Sequence, residues 1–133
     1  MTKFSEKTSY KNSIKYANKG LRAALKSQKN FRFQLVISIL VVSAALFLKF
    51  NQIEMCLIIF AIGFVLAAEL FNSVIEFSLD ALYHNKKNIL VGLAKDMSAG
   101  AVLIATLTAV AIGSILFINH LLDLFVTGYY WSM

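Results

Sequence analysis

The chain has 133 residues, of which 59% are hydrophobic and only 15% charged, with a mean hydropathy of +0.70. A single domain of this size has too little interior to hide that much apolar side chain from water. This excludes a soluble globular domain, a disordered chain and a disulfide scaffold, and leaves a small integral membrane protein. The net charge of +6 is concentrated, with nine of the thirteen basic residues in positions 1–32, and the three long apolar runs that follow speak against nucleic acid as a partner.

The N-terminal segment predicts an amphipathic surface helix over about residues 8–29. Lys11, Lys15, Lys19, Arg22, Lys26 and Lys29 recur every three or four residues and share one stripe, while Tyr10, Ile14, Ala17, Leu21 and Leu25 form a second. Such a helix lies on a membrane with its lysines toward acidic headgroups. By helical phase Gln28 falls in the apolar stripe and faces inward, where a polar group needs a partner. The first thirty residues lack the apolar region of a signal peptide.

A first span is expected over about residues 31–50, long enough for one hydrocarbon thickness of roughly 30 Å. A short turn at 49–54 makes a tight hairpin with a second span over about 53–82. The absence of proline suits uninterrupted helices. The single cysteine, Cys56, lies in an apolar run and reads as packing.

The second span carries the chemistry. Glu69, Asn72, Ser73, Glu76 and Asp80 are spaced i, i+3, i+4, i+7 and i+11, which confines them to one face of a helix. Ionisable groups in a membrane helix are costly and normally face a bundle interior with a task to perform. Glu69 falls about 24 Å along the helix from Ile53, near the far edge of the hydrocarbon, and Glu76 lies one or two turns further on. Two carboxylates on one face repel unless a cation lies between them, and a divalent ion with oxygen ligands is the natural one. Three helices alone do not easily enclose such a stripe, so an oligomer is expected.

The polar segment 83–93 predicts a loop. A third span then follows over about 97–122, with Lys95 and Asp96 at its start, where free backbone N–H groups and the helix dipole favour phosphate. Within it Ala101, Ala105, Ala109 and Gly113 repeat every four residues, a small-residue face expected to pack between subunits. Phe125, Tyr129, Tyr130 and Trp131 read as an interfacial anchor. Three spans put the termini on opposite sides. Twelve basic residues fall on the side of the N-terminus and the 83–96 segment and one on the other, so the N-terminus is expected in the cytoplasm and the C-terminus outside. There is no GxxxxGK[ST] or GxGxxG nucleotide loop and no paired-cysteine or HExxH metal site.

The stretch Ala68-Glu69-Leu70-Phe71-Asn72-Ser73-Val74-Ile75-Glu76, followed some twenty residues later by Ala94-Lys95-Asp96-Met97-Ser98-Ala99-Gly100-Ala101-Val102-Leu103, resembles the prokaryotic diacylglycerol kinase/undecaprenol kinase family. The likeness extends over about residues 13–120 and includes Lys19 to Ala24 and Asn30-Phe31. It implies one integral membrane lipid kinase domain over residues 1–133, all-α, assembled as a homotrimer in the bacterial cytoplasmic membrane with active sites shared between neighbouring subunits. The implied activity is the ATP- and Mg²⁺-dependent phosphorylation of a membrane lipid alcohol, either diacylglycerol to phosphatidic acid or undecaprenol to undecaprenyl phosphate. Residue by residue, the resemblance implies Glu69 as the base beside the lipid hydroxyl, Asn72 as a positioning residue and Glu76 as a metal ligand at the nucleotide. Lys95 would lie on the phosphates, with Asp96, Tyr16 and Lys19 also at the nucleotide. Gln28 stands where the family often has a glutamate that joins Glu76 at the metal; it offers a carbonyl oxygen but no charge. Gln34 likewise replaces a residue commonly charged or His. The alternative reading of the acidic stripe is non-enzymatic, a small oligomeric transporter or ion-pathway subunit.

Overall fold

The computed structural model describes residues 10–84 and 88–130, and among these there are four helices and no strand. They are α1 (Tyr10–Ser27), α2 (Lys29–Phe47), α3 (Gln52–Tyr83) and α4 (Ile89–Tyr130). The last three are each long and apolar enough to cross a membrane. The chain is therefore an all-α integral membrane protein with an amphipathic first helix. Residues 8 and 9 of the expected surface helix, residues 85–87 and Trp131 lie outside the described residues, as do the side chains of Lys11, Tyr129 and Tyr130.

The helix ends are set by local chemistry. A single extended residue, Gln28 (φ −100°, ψ 109°), separates α1 from α2. Gln28 thus sits at a break; its N–H still closes the last turn of α1 on Ala24 O at 2.8 Å, and its side chain is half-buried. Arg32 fixes the break: its Nη1 donates to the carbonyl oxygens of Leu25 and Lys26 at 3.1 and 3.0 Å, satisfying acceptors that α1 leaves open at its end. At the end of α2 the N–H of Phe50 donates to Ala45 O and that of Lys49 to Leu46 O, with Lys49 left-handed at φ 57°. This is the Schellman closure, with lysine in the place glycine usually takes. Asn51 then caps α3: its Oδ1 accepts from the N–H groups of Ile53 and Glu54, while Glu54 Oε2 accepts from the N–H of Asn51 at 2.8 Å.

The helix that carries the third span starts earlier than expected. Asn88 Oδ1 accepts from the N–H of Leu90, and α4 starts at Ile89, eight residues before the start at 97 expected from hydropathy. Lys95 and Asp96 therefore lie two turns inside the helix, where the N–H groups are already paired, and the expectation of a free phosphate-binding helix end at these residues is overturned. The cause is that a helix leaving the hydrocarbon for water turns polar without unwinding. Its 42 residues measure about 63 Å and the 32 of α3 about 48 Å, against roughly 30 Å of hydrocarbon.

The helix α3 is the centre of the bundle, packed most extensively on α4 and next on α2, while α1 rests on α2. The buried apolar residues are mostly small, with Ala24, Ala45, Ala61 and Ala105 among them, and large side chains such as Phe60, Phe64, Phe71 and Leu107 face outward. That inversion is what a bilayer favours, since helices there gain from close approach rather than from hiding apolar surface. At the end of the bundle that holds the α2–α3 turn, Glu54 Oε2 lies 2.9 Å from His120 Nε2. The ring of Phe50 stacks on His120 at 4.3 Å and meets Phe117 at 4.8 Å, so the turn is tied to α4.

Ala105, at 1% exposure, is buried within its own chain, whereas Ala101 is exposed and Ala109 and Gly113 half-buried. The centre of the four-residue repeat is thus an intrachain contact, which corrects the expectation that Ala105 packs between subunits. Ala105→Leu is expected to overpack the bundle and cost about 1–3 kcal/mol. Its unfolding midpoint in mild detergent should fall, while the crosslinked fraction of the protein that remains folded stays at the wild-type level. A lower crosslinked fraction at an unchanged midpoint would return Ala105 to a subunit interface.

Candidate functional site

The five polar residues of α3 share the face turned to the other helices. Glu69, Asn72 and Ser73 are buried at 3%, 8% and 4% exposure, and Glu76 and Asp80 are half-buried. One chain therefore buries the deeper half of the stripe by itself, and leaves the outer half, Glu76 and Asp80, partly open. Gln34 of α2 and Ser98 of α4 close that deeper half, and the early start of α4 extends the contact outward to Asp80 through Lys95.

Partners come from two neighbouring helices. From α2, Gln34 Nε2 donates to Glu69 Oε2 at 3.3 Å. Gln34 Oε1 is buried and has no hydrogen-bond partner among the described residues. From α4, Ser98 Oγ lies 2.5 Å from Asn72 Oδ1. Asn72 Nδ2 in turn donates to Glu76 Oε1 at 3.2 Å, and Ser73 Oγ donates back to the carbonyl oxygen of Glu69. One turn further along, Lys95 Nζ bonds Asp80 Oδ1 at 2.5 Å with both side chains partly exposed. The result is a column in which a buried carboxylate, an amide, a second carboxylate and an ion pair follow one another from the bundle interior outward.

An apolar groove of about 440 Å³ lies between α2, α3 and α4, lined by Ile37, Val41, Ile58, Val65 and Val110 among others. Gln34 also lines it, and the hydrogen bond from Gln34 to Glu69 joins the groove to the deep end of the column. Apolar volume against a small number of placed polar groups is the usual make-up of a ligand site.

The residues expected at the nucleotide divide into two groups. Lys95 lies in the column, and Asp96 next to it is exposed. Tyr16 and Lys19 are exposed on α1, in an open depression lined also by Asn12, Lys15, Asn18 and Arg22, and among the described residues neither has a hydrogen bond or ion pair to α3 or α4. Gln28 is half-buried at the helix break, its side chain does not cap α2, and no hydrogen bond joins it to Glu76. Among the described residues no three His, Cys, Asp or Glu cluster as a metal cage. Magnesium does not need one, since it commonly takes one or two carboxylates and completes its octahedron with water and substrate phosphates. The half-exposed Glu76 carboxylate fits that pattern.

Sequence reasoning gave no role to Ser98 and did not pair Asp80 with Lys95. The signal for Ser98 was its spacing, three residues after Lys95 and so on the same helical face.

The family profile described as "Prokaryotic diacylglycerol kinase" matches residues 15–117. The chain is 39% identical over 108 residues to a protein named "Diacylglycerol kinase" from Escherichia coli K12, covering 79% of this chain and 85% of the relative. It is 33% identical over 114 residues to a protein of the same name from Synechocystis, covering 86% of this chain but 65% of that longer relative. A protein named "Undecaprenol kinase" from Bacillus subtilis is 29% identical over 109 residues, 82% of this chain and 88% of its own length.

Proposed function

The chain belongs to the prokaryotic diacylglycerol kinase family, and from that premise we propose that it is a lipid kinase, transferring the γ-phosphoryl group of ATP to the hydroxyl of a membrane lipid. The observation that carries this reading is the junction of an apolar groove with a buried carboxylate, Glu69, at the head of a polar column that leads outward to Lys95. A lipid alcohol has both parts, an apolar chain for the bilayer side and a hydroxyl for the carboxylate. ATP meets it from the exposed end. Positive-inside counting puts that end in the cytosol of a bacterial cell, with the protein in the cytoplasmic membrane.

In this mechanism Glu69 accepts the proton of the lipid hydroxyl as its oxygen forms a bond to the γ-phosphorus, and the bond from that phosphorus to the bridging oxygen of ADP breaks. Gln34, bonded to Glu69 Oε2, keeps the carboxylate aimed. Asn72 positions Glu76, and Lys95 carries positive charge to the phosphates. Phosphoryl transfer asks for positioning and charge neutralisation more than covalent help. Magnesium, held by Glu76 with Gln28 contributing a neutral oxygen, would supply further charge neutralisation on the phosphates. Tyr16 and Lys19 reach the nucleotide if sites are shared between subunits of a trimer, with α1 of one copy lying over the column of the next.

The transporter alternative needs acidic groups reachable from both sides of the membrane. Glu69, Glu76 and Asp80 gather toward one end of α3, and the family match gives that reading no support.

The test is transfer of radiolabelled γ-phosphate by the purified protein to diacylglycerol and, separately, to undecaprenol. Diacylglycerol is the first substrate to try, because the relatives named for it are 39% and 33% identical against 29% for the undecaprenol kinase. A labelled lipid that appears only with ATP supports the reading, and failure with both lipids would sink it.

A further inference from the structure

The column holds a buried polar group that joins two helices and to which the mechanism above gives no task. Ser98 stands on α4 at 8% exposure, facing Asn72 across the α3–α4 contact. Its Oγ is 2.5 Å from Asn72 Oδ1 and 2.8 Å from the carbonyl oxygen of Lys95 in its own helix. A serine hydroxyl has a single hydrogen to give. The Lys95 carbonyl already accepts within the regular helix, whereas Asn72 Oδ1 has no other donor among the described residues. Leaving a buried acceptor without a donor costs more than the hydroxyl gains from a second bond to a satisfied carbonyl, so the hydrogen belongs on Asn72.

That assignment decides which way the amide faces. With Oδ1 held by Ser98, the amide must turn Nδ2 toward Glu76, and Nδ2 does lie 3.2 Å from Glu76 Oε1. The flipped amide would set a carbonyl oxygen against a carboxylate. The two contacts agree on a single orientation, and the hydroxyl on α4 controls it from the far side.

We infer that Ser98 is a positioning residue for phosphoryl transfer: its hydroxyl fixes the orientation of the Asn72 amide, and through Asn72 it holds the Glu76 carboxylate where the nucleotide arrives. The inference rests on the kinase reading, since it gives Ser98 a purpose within that reaction. It makes the site a joint product of α3 and α4, so that a shift of one helix along the other would turn the amide away from Glu76.

Ser98→Ala, Asn72→Ala and the double variant, purified in mild detergent, test this by their kcat and KM for diacylglycerol and ATP. Ser98→Ala is expected to lower kcat about tenfold, the effect of losing one orienting hydrogen bond, with the KM for lipid near wild type. On the Asn72→Ala background the same substitution should have no further effect, because the hydroxyl acts only through the amide. Wild-type kcat in Ser98→Ala, or an equal loss on both backgrounds, would overturn the inference. The side-chain amide resonances of Asn72 in protein labelled with ¹⁵N-asparagine give a second measurement that needs no turnover. They should shift and exchange faster in Ser98→Ala, and unchanged resonances would overturn the orienting role. A wild-type protein that phosphorylates no lipid would overturn the kinase reading and with it the catalytic purpose of Ser98, while the resonances still tell whether the hydroxyl sets the amide.

Discussion

Glu69→Gln is expected to lower turnover by about 10²–10⁴, the range over which a positioned general base contributes. The substitution keeps the shape of the side chain and an oxygen for Gln34 Nε2, so the α2–α3 contact survives. The bond from Ser73 goes to the backbone oxygen of residue 69 and is untouched. What disappears is the ability to take a proton from a hydroxyl at the mouth of the groove. The KM for ATP should be near wild type, because in the proposed mechanism Glu69 acts on the lipid hydroxyl while Glu76 and Lys95 bind the nucleotide. Thermal unfolding in detergent should occur at the wild-type temperature or above it, since a neutral amide costs less to bury than a carboxylate. A variant with normal kcat would remove Glu69 from the role of base. One with lost activity and a lowered unfolding temperature would make its effect structural.

The spacing of Glu69, Asn72, Ser73, Glu76 and Asp80 was legible in the sequence because polar groups in a membrane helix are expensive enough to be informative. Five of them at helical spacing on one face admit few readings, and the structure turns that face to α2 and α4. The three spans were equally legible from hydropathy. Hydropathy was silent about the start of α4, because it reports the solvent around a segment and not its conformation. The solvated first turns of α4 read as loop for that reason, although Asn88 caps a helix there. Ala105 illustrates a different limit. A four-residue repeat of small side chains says that some helix comes close, and cannot say whether that helix belongs to the same chain. Gln28 shows a third: helical phase gives the side a residue lies on, and does not show that a helix breaks there, as the one extended residue between α1 and α2 makes it do. Contacts such as Ser98 to Asn72 depend on the register of two helices that meet after a connection of uncertain length, which no one-dimensional pattern encodes.

The second large effect is expected at Lys95, where the protein already supplies a competitor for the substrate. Lys95 Nζ is held by Asp80, and both side chains are partly exposed, at 33% and 40%. A pair so placed contributes about 0–1 kcal/mol to stability, little enough for a polyphosphate to displace the carboxylate. Lys95→Ala should therefore lower kcat/KM for ATP by about 10²–10³, as removal of a charge-stabilising donor from a transfer site does, while the unfolding temperature hardly moves. Asp80→Asn should behave in the opposite way. Freed from its carboxylate, Lys95 is available to the phosphates from the start, so the KM for ATP should be equal to wild type or lower, with kcat retained. Raised salt should narrow the difference between wild type and Asp80→Asn, because a half-exposed pair is screened. Steady-state kinetics at two ionic strengths separate this from a purely structural pair, in which either substitution would break the same contact and both would impair turnover alike. Equal losses in the two variants, with matching drops in unfolding temperature, would take Lys95 off the phosphates and leave it as a strut between α3 and α4.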